Sequence, residues 1–266
     1  MKQLFSAVFI FMVYLTGLQG QPFNVSLSLN PAGAGITTGE GSYDLDALVT
    51  VTATPNAGFR FVNWTENSEE ASPLASFSFN ITSDRNLVAN FIQTYTVTAS
   101  SSPTTGGNVT GTGTYDAGTS VTVTAVPSSG YRFVNWTIGG NQVSTNTSYN
   151  FNIESDLNLV ANFIQIYTVA TSSSPVSGGN TTGTGTYDSG TSVTITATPL
   201  IGYRFVNWTE GGTLLSTNSS FTFNINSNRI FVANFEILTY SISTKALPAA
   251  GGSTSGDGTY NHGSTA

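Results

Sequence analysis

Gly130-Tyr131-Arg132-Phe133-Val134-Asn135-Trp136-Thr137 is the stretch whose reading decides the fold. It recurs as Gly58-Phe59-Arg60-Phe61-Val62-Asn63-Trp64-Thr65 and as Gly202-Tyr203-Arg204-Phe205-Val206-Asn207-Trp208-Thr209. Trp64, Trp136 and Trp208 are the chain's 3 tryptophans, each 72 positions from the next. Pro31, Pro103 and Pro175 keep the same frame, as do Tyr43, Tyr115 and Tyr187, and Phe91, Phe163 and Phe235. A fixed period of this length marks an array of small folding units, each within the size range that can fold alone. Residues 21–94 form the first repeat, 95–166 the second, 167–239 the third, and 240–266 the opening part of a fourth. In the fourth, Pro248 and Tyr260 come one residue late, because the joint Glu236-Ile237-Leu238-Thr239 is one residue longer than the earlier joints.

Around the aromatic stretch the second repeat reads as strands and turns. Tyr95-Thr96-Val97-Thr98-Ala99 and Ser120-Val121-Thr122-Val123-Thr124-Ala125 alternate apolar and polar residues, as half-buried strands do. Asn108 to Tyr115 reads as a Gly-spaced strand, Ser148 to Ile153 as another, and Leu157 to Phe163 closes the unit. With the aromatic strand this makes about six short strands per repeat, and no stretch beyond the N-terminus has a helical period. The expected fold is all-β: tandem small β-rich modules of about 72 residues, β-grasp-like or small sandwiches, in a semi-rigid array. Between Phe163 and Tyr167 lie only Ile164, Gln165 and Ile166, which is no flexible Gly/Ser linker. The expected core is Trp64, Trp136, Trp208, Phe61, Phe133, Phe205, Phe91, Phe163 and Phe235, with the Val and Ile of the alternating strands. Because strands have period two, Phe133 and Trp136 share a face only across a bulge. The sequence therefore predicts a bulge there, or a strand buried on both faces, with Arg132 at the rim.

Composition narrows the function. Charged residues are 8% of the 266, net charge is −7, and Lys plus Arg number 7. No basic patch exists to track phosphates or an anionic membrane. There is no cysteine, so disulfides and thiolate metal sites are excluded. Residues 1–20 read as a secretory signal peptide: Lys2, an apolar run from Leu4 to Leu15, then Gly17 and Gly20. The run is short of the ~20 residues a membrane span needs, and no later apolar run replaces it.

Candidate chemistry is sparse. His262, the one histidine, stands at the turn position of Ala117 and Ser189, and nothing completes a catalytic triad around it. Asp44, Asp116 and Asp188 recur after a tyrosine, in a turn where Asn261 replaces them in the fourth repeat. Asp84 and Asp156 recur too, with Asn228 in their place in the third. Isolated carboxylates of this kind do not make a calcium site. Lysine occurs only at 2 and 245, which excludes Lys–Asn isopeptide staples in the three full repeats. Gly111-Thr112-Gly113 lacks the helix and lysine of a phosphate cradle and reads as a bulge or turn. No catalytic residue, cofactor or metal is expected. Half of the 14 acidic residues fall in the first repeat (Glu40, Asp44, Asp46, Glu66, Glu69, Glu70, Asp84), as suits a solubilising terminal cap.

The segments YTVTASSSP, GGNVTGTGTYDAGTSVTVTA, GYRFVNWT and NLVANF together resemble the divergent InlB B-repeat domains of bacterial secreted and surface proteins. The resemblance covers nearly all of the chain after the signal segment. It implies a small β-rich module related to the β-grasp-like listerial B-repeats, an architectural role, and no catalytic residues. The expectation is a non-catalytic secreted or cell-surface stalk or spacer of a bacterium. The rivals are adhesin-type repeats that bind surface glycans or proteins, and the N-terminal spacer of an enzyme whose catalytic domain lies beyond Ala266.

Overall fold

The computed structural model describes residues 20–265, so the expected signal peptide, Gly20 excepted, lies outside the described residues. Threonine, valine and aromatic alternation produces strands throughout, with no α-helix among the described residues. The first repeat forms β1 (Phe23–Asn30), β2 (Gly35–Thr38), β3 (Gly41–Tyr43), β4 (Leu48–Pro55), β5 (Phe59–Glu66), β6 (Glu69–Ser72), β7 (Ser76–Asn80) and the start of β8 (Arg85–Ser102). The second continues along β8 into β9 (Gly107–Thr110), β10 (Gly113–Asp116), β11 (Ser120–Pro127), β12 (Tyr131–Ile138), β13 (Asn141–Ser144), β14 (Ser148–Asn152) and the start of β15 (Leu157–Ser174). The third continues into β16 (Gly179–Thr182), β17 (Gly185–Asp188), β18 (Ser192–Pro199), β19 (Tyr203–Glu210), β20 (Thr213–Ser216), β21 (Ser220–Asn224) and β22 (Arg229–Ile237). The fourth contributes β23 (Thr239–Ile242) and β24 (Gly258–Asn261).

The first and third repeats are each built as a small sandwich of two sheets. In the third, β16, β18 and β21 form one antiparallel sheet. The other runs β20-β19-β22-β15, with β17 also paired to β15. Here β15 and β22 are parallel, from Val169 opposite Arg229 to Ser174 opposite Asn234. The repeat is thus closed by pairing its first strand with its last. Alternation turns Val193, Ile195 and Ala197 of β18 inward, where they meet Val169, Trp208, Phe231, Ala233 and Phe235 of the other sheet. The first repeat is made the same way. Its sheet β2-β4-β7 supplies Val49, Val51 and Ala53, and the parallel β1–β8 pair supplies Val25, Leu87, Ala89 and Phe91.

Two details differ from the six-strand expectation. The segment Asn108–Tyr115 is not one strand: Gly111 (φ 87) breaks it, and a Cβ there would collide with the Thr122 carbonyl oxygen. A further strand, β13, returns from the Gly139-Gly140 turn (φ 56 and 85) to pair with β12. Both glycines take positive φ, as the tightest hairpin turns require. Gly-rich stretches look like loops by composition, which hid β13.

The closing strand of one repeat and the opening strand of the next are one strand: β8 and β15 each run 18 residues without interruption. The described chain packs as two compact units that do not follow the repeat boundaries. The first holds residues up to Thr96 together with Gly113–Val121 and Asn152–Asp156; the second holds the remainder.

Candidate functional site

The aromatic strand does contain the expected bulge. Phe133 pairs with Phe163, but Asn135 pairs with Asn162, leaving Val134 as the extra residue. The same shift falls between Phe61 and Asn63 and between Phe205 and Asn207. The bulge brings Phe133 and Trp136 onto one face with ring centroids 5.8 Å apart. Trp64, Trp136 and Trp208 are each 0% exposed. Each indole N–H donates to a backbone carbonyl, those of Ala75, Thr147 and Ser219, at 3.1–3.3 Å. Phe61, Phe133 and Phe205 are half-buried and meet Phe91, Phe163 and Phe235 edge-on. The latter three lie inside the core, over glycines too close to carry a side chain: a Cβ at Gly179 would collide with the Phe235 ring. With the indoles buried, none offers a face on which a sugar could stack.

The asparagine and threonine of the motif serve the bulge. Asn162 Nδ2 donates to Asn135 Oδ1 at 2.8 Å and Thr137 Oγ1 at 3.1 Å. Asn90 and Asn234 repeat this with Asn63 and Thr65, and with Asn207 and Thr209. A bulge disrupts the backbone ladder locally, and these side chains fill the gap. Sequence reading missed this role, although Asn90, Asn162 and Asn234 recur in frame.

The arrangement most distinctive of this chain is the joint between repeats, which lies where the aromatic strand begins. At the second-to-third joint, Gly130 C=O accepts from Ile166 N–H at 2.8 Å, and Gln165 C=O accepts from Ser189 N–H at 2.8 Å. Strand β17 pairs with β15, setting Asp188 opposite Ile166. Arg132 then reaches forward into the next repeat's turn. Its Nε donates to Asp188 Oδ1 at 2.6 Å and its Nη2 to Asp188 Oδ2. The first-to-second joint repeats this, with Gly58 to Thr94, Gln93 to Ala117, and Arg60 gripping both oxygens of Asp116. The planar guanidinium fork matches a carboxylate with two parallel bonds. Hydrogen bonding to the arginine holds the Asp116 and Asp188 carboxyls below their usual range. Arg132 is therefore at the rim, as expected, but engaged; and Asp116 and Asp188 are turn residues that also receive the preceding repeat.

The third-to-fourth joint keeps the backbone and loses the clamp. Gly202 C=O accepts from Leu238 N–H at 2.7 Å and Leu238 C=O from His262 N–H at 2.8 Å, so His262 is a turn residue. The carboxylate is replaced by Asn261, and Arg204 turns to Glu236. The strand is also interrupted here, at Leu238 between β22 and β23.

The other recurrent acids are accounted for locally. Asp84, Asp156 and Asn228 accept from the backbone N–H of Asn24, Thr96 and Thr168 at 2.7–2.9 Å, work that needs one oxygen and no charge. Glu66 binds Arg85, and Glu210 binds Arg229. In the second repeat these positions are Ile138 and Leu157. Among the described residues, no group of three or more His, Cys, Asp or Glu is placed to hold a metal, and no helix is long and apolar enough to cross a membrane.

The family model of the divergent InlB B-repeat domain matches residues 25–94, 95–166 and 167–238. No curated protein is significantly similar to the chain. Among solved structures, a point mutant of the major pilin from Streptococcus pyogenes aligns at 12% identity over 81% of this chain and 96% of that one. Its TM-score of 0.14 is too low to carry an argument.

Proposed function

The chain belongs to the divergent InlB B-repeat family, and from that premise we propose that it is a secreted or surface-exposed bacterial structural protein, its repeats serving as a non-catalytic stalk or spacer. The observation that supports this most is the joint. A spacer must resist bending between its repeats, and at two joints one continuous strand, a backbone hydrogen bond and a bidentate ion pair cross from repeat to repeat. The chain has no cysteine, so spin labels can be placed at will. With Ser128→Cys and Leu200→Cys, both at exposed equivalent positions, electron–electron distance measurement is expected to give one narrow distribution. A broad or multiple distribution would sink the spacer reading. Export is tested by N-terminal sequencing of the secreted protein, with cleavage expected near Gly20.

A second reading, that the repeats themselves bind glycans, has one observation in its favour. The outer face of the β16-β18-β21 sheet exposes Ser192, Thr194, Thr198, Ser220, Thr222 and Asn224, an uncharged hydroxyl and amide surface. Saturable binding on a glycan array, lost with Thr194→Glu and Thr222→Glu, would favour it over a passive spacer.

A further inference from the structure

We infer that Asp44, at the outer turn of the first repeat, is a binding site for an arginine side chain carried by a partner polypeptide. The inference rests on the chain's own internal comparison and is independent of the spacer reading. Asp44 stands where Asp116 and Asp188 stand, and both of those hold a guanidinium through two hydrogen bonds.

The turn around Asp44 is built as the filled turns are. Its carbonyl accepts from Ala47 N–H at 3.0 Å, as those of Asp116 and Asp188 accept from Thr119 and Thr191 at 3.1 Å. Asp46 N–H donates to Ile81 C=O at 2.8 Å, as Gly118 and Gly190 donate to Ile153 and Ile225 at 2.7 Å. Tyr43 Oη donates to Gly39 C=O at 3.0 Å, as Tyr187 does to Gly183. The turn is formed, and no arginine among the described residues occupies it. Asp44 is exposed and makes no ion pair or side-chain hydrogen bond among the described residues, whereas Asp116 and Asp188 are both engaged.

The first repeat also departs from the others at this turn in ways that suit a partner. Asp46 occupies a left-handed position (φ 64) where Gly118 and Gly190 sit at φ 79 and 81, so a second carboxylate stands beside the first. Leu45 and Leu48, 61% and 70% exposed, replace Ala117 and Ser120 of the second repeat and Ser189 and Ser192 of the third. Exposed leucine surface beside a carboxylate suits arginine, whose aliphatic stem packs while its head is paired.

The test uses the full chain and, as probe, the blocked peptide Gly-Tyr-Arg-Phe-Val-Asn-Trp-Thr, the stretch that carries Arg132. Carboxyl 13C NMR is read at Asp44, with Asp116 and Asp188 as internal references. A saturable shift confined to Asp44 and Asp46 is expected. Replacing the peptide's arginine by glutamine, or Asp44→Asn in the protein read at Asp46, is expected to weaken binding about tenfold, the loss of one charge-assisted pair. Asp44→Asn should fold normally, because Asn261 already occupies this turn in the fourth repeat. No saturable shift, equal shifts with the arginine and glutamine peptides, or equal affinity for the parent and the Asp44→Asn variant would overturn the inference.

Discussion

A tryptophan at 0% exposure is the residue on which each sandwich closes. Trp208 packs against Phe205 and Phe231, and its N–H is spent on the Ser219 carbonyl. Trp208→Ala is expected to remove about 3–5 kcal/mol from the third repeat, the cost of a large core cavity. Hydrogen-exchange protection at the amides of β18 and β22 should fall accordingly. The opposite error is overpacking. In Gly179→Ala the new methyl would collide with the Phe235 ring and lie 2.6 Å from the Thr198 carbonyl oxygen. A loss of about 1–3 kcal/mol is expected in chemical denaturation followed by circular dichroism. If the variant matches the parent, the glycine is not required by the close approach.

At the scale of the strand, the repeats run one experiment against themselves. The first and third use an ion pair, Glu66–Arg85 and Glu210–Arg229, where the second has Ile138 and Leu157. Arg229 also lies over the Phe223 and Phe231 rings at 5.2 and 4.9 Å, so its stem and charge both contribute. Removing one partner leaves a partly buried charge unpaired, whereas replacing both by apolar groups can be neutral. Arg229→Leu alone is therefore expected to cost about 1 kcal/mol, and Glu210→Ile with Arg229→Leu to recover most of it. A double-mutant cycle in urea measures the coupling; additive losses would refute it.

For the whole molecule the joints matter most. Arginine hydrogen bonding depresses the Asp116 and Asp188 carboxyls, so each is more acidic folded than unfolded. Such a group stabilises the fold above its unfolded value, ordinarily near 4, and that contribution is lost as pH falls through the depressed folded value. The pairs are substantially exposed, so each is worth only about 0.2–1 kcal/mol. The expected result is a fall in hydrogen-exchange protection at Ser189 N–H and Ala117 N–H below about pH 4. Asp188→Asn should abolish the pH dependence at Ser189 alone. His262 N–H, at the joint that has Asn261 instead of an aspartate, should show no such step.

The sequence by itself determined the repeat and the all-β class and narrowed the aromatic strand to a bulge or burial on both faces, because each is written in local periodicity. A 72-residue frame needs only comparison along the chain, and a period of two cannot place Phe133 and Trp136 together without an extra residue. Tertiary structure alone decided the joints. Arg132 and Asp188 are 56 positions apart, and each has a sufficient local explanation, a rim residue and a turn residue. They meet because β15 continues unbroken through the joint and pairs with β17 in the register that sets Asp188 opposite Ile166. Register between distant strands is fixed by the packed core as a whole, so no window of sequence contains it. The aromatic stretch was legible as a core element, while its arginine acquired a partner only when the next repeat folded beside it.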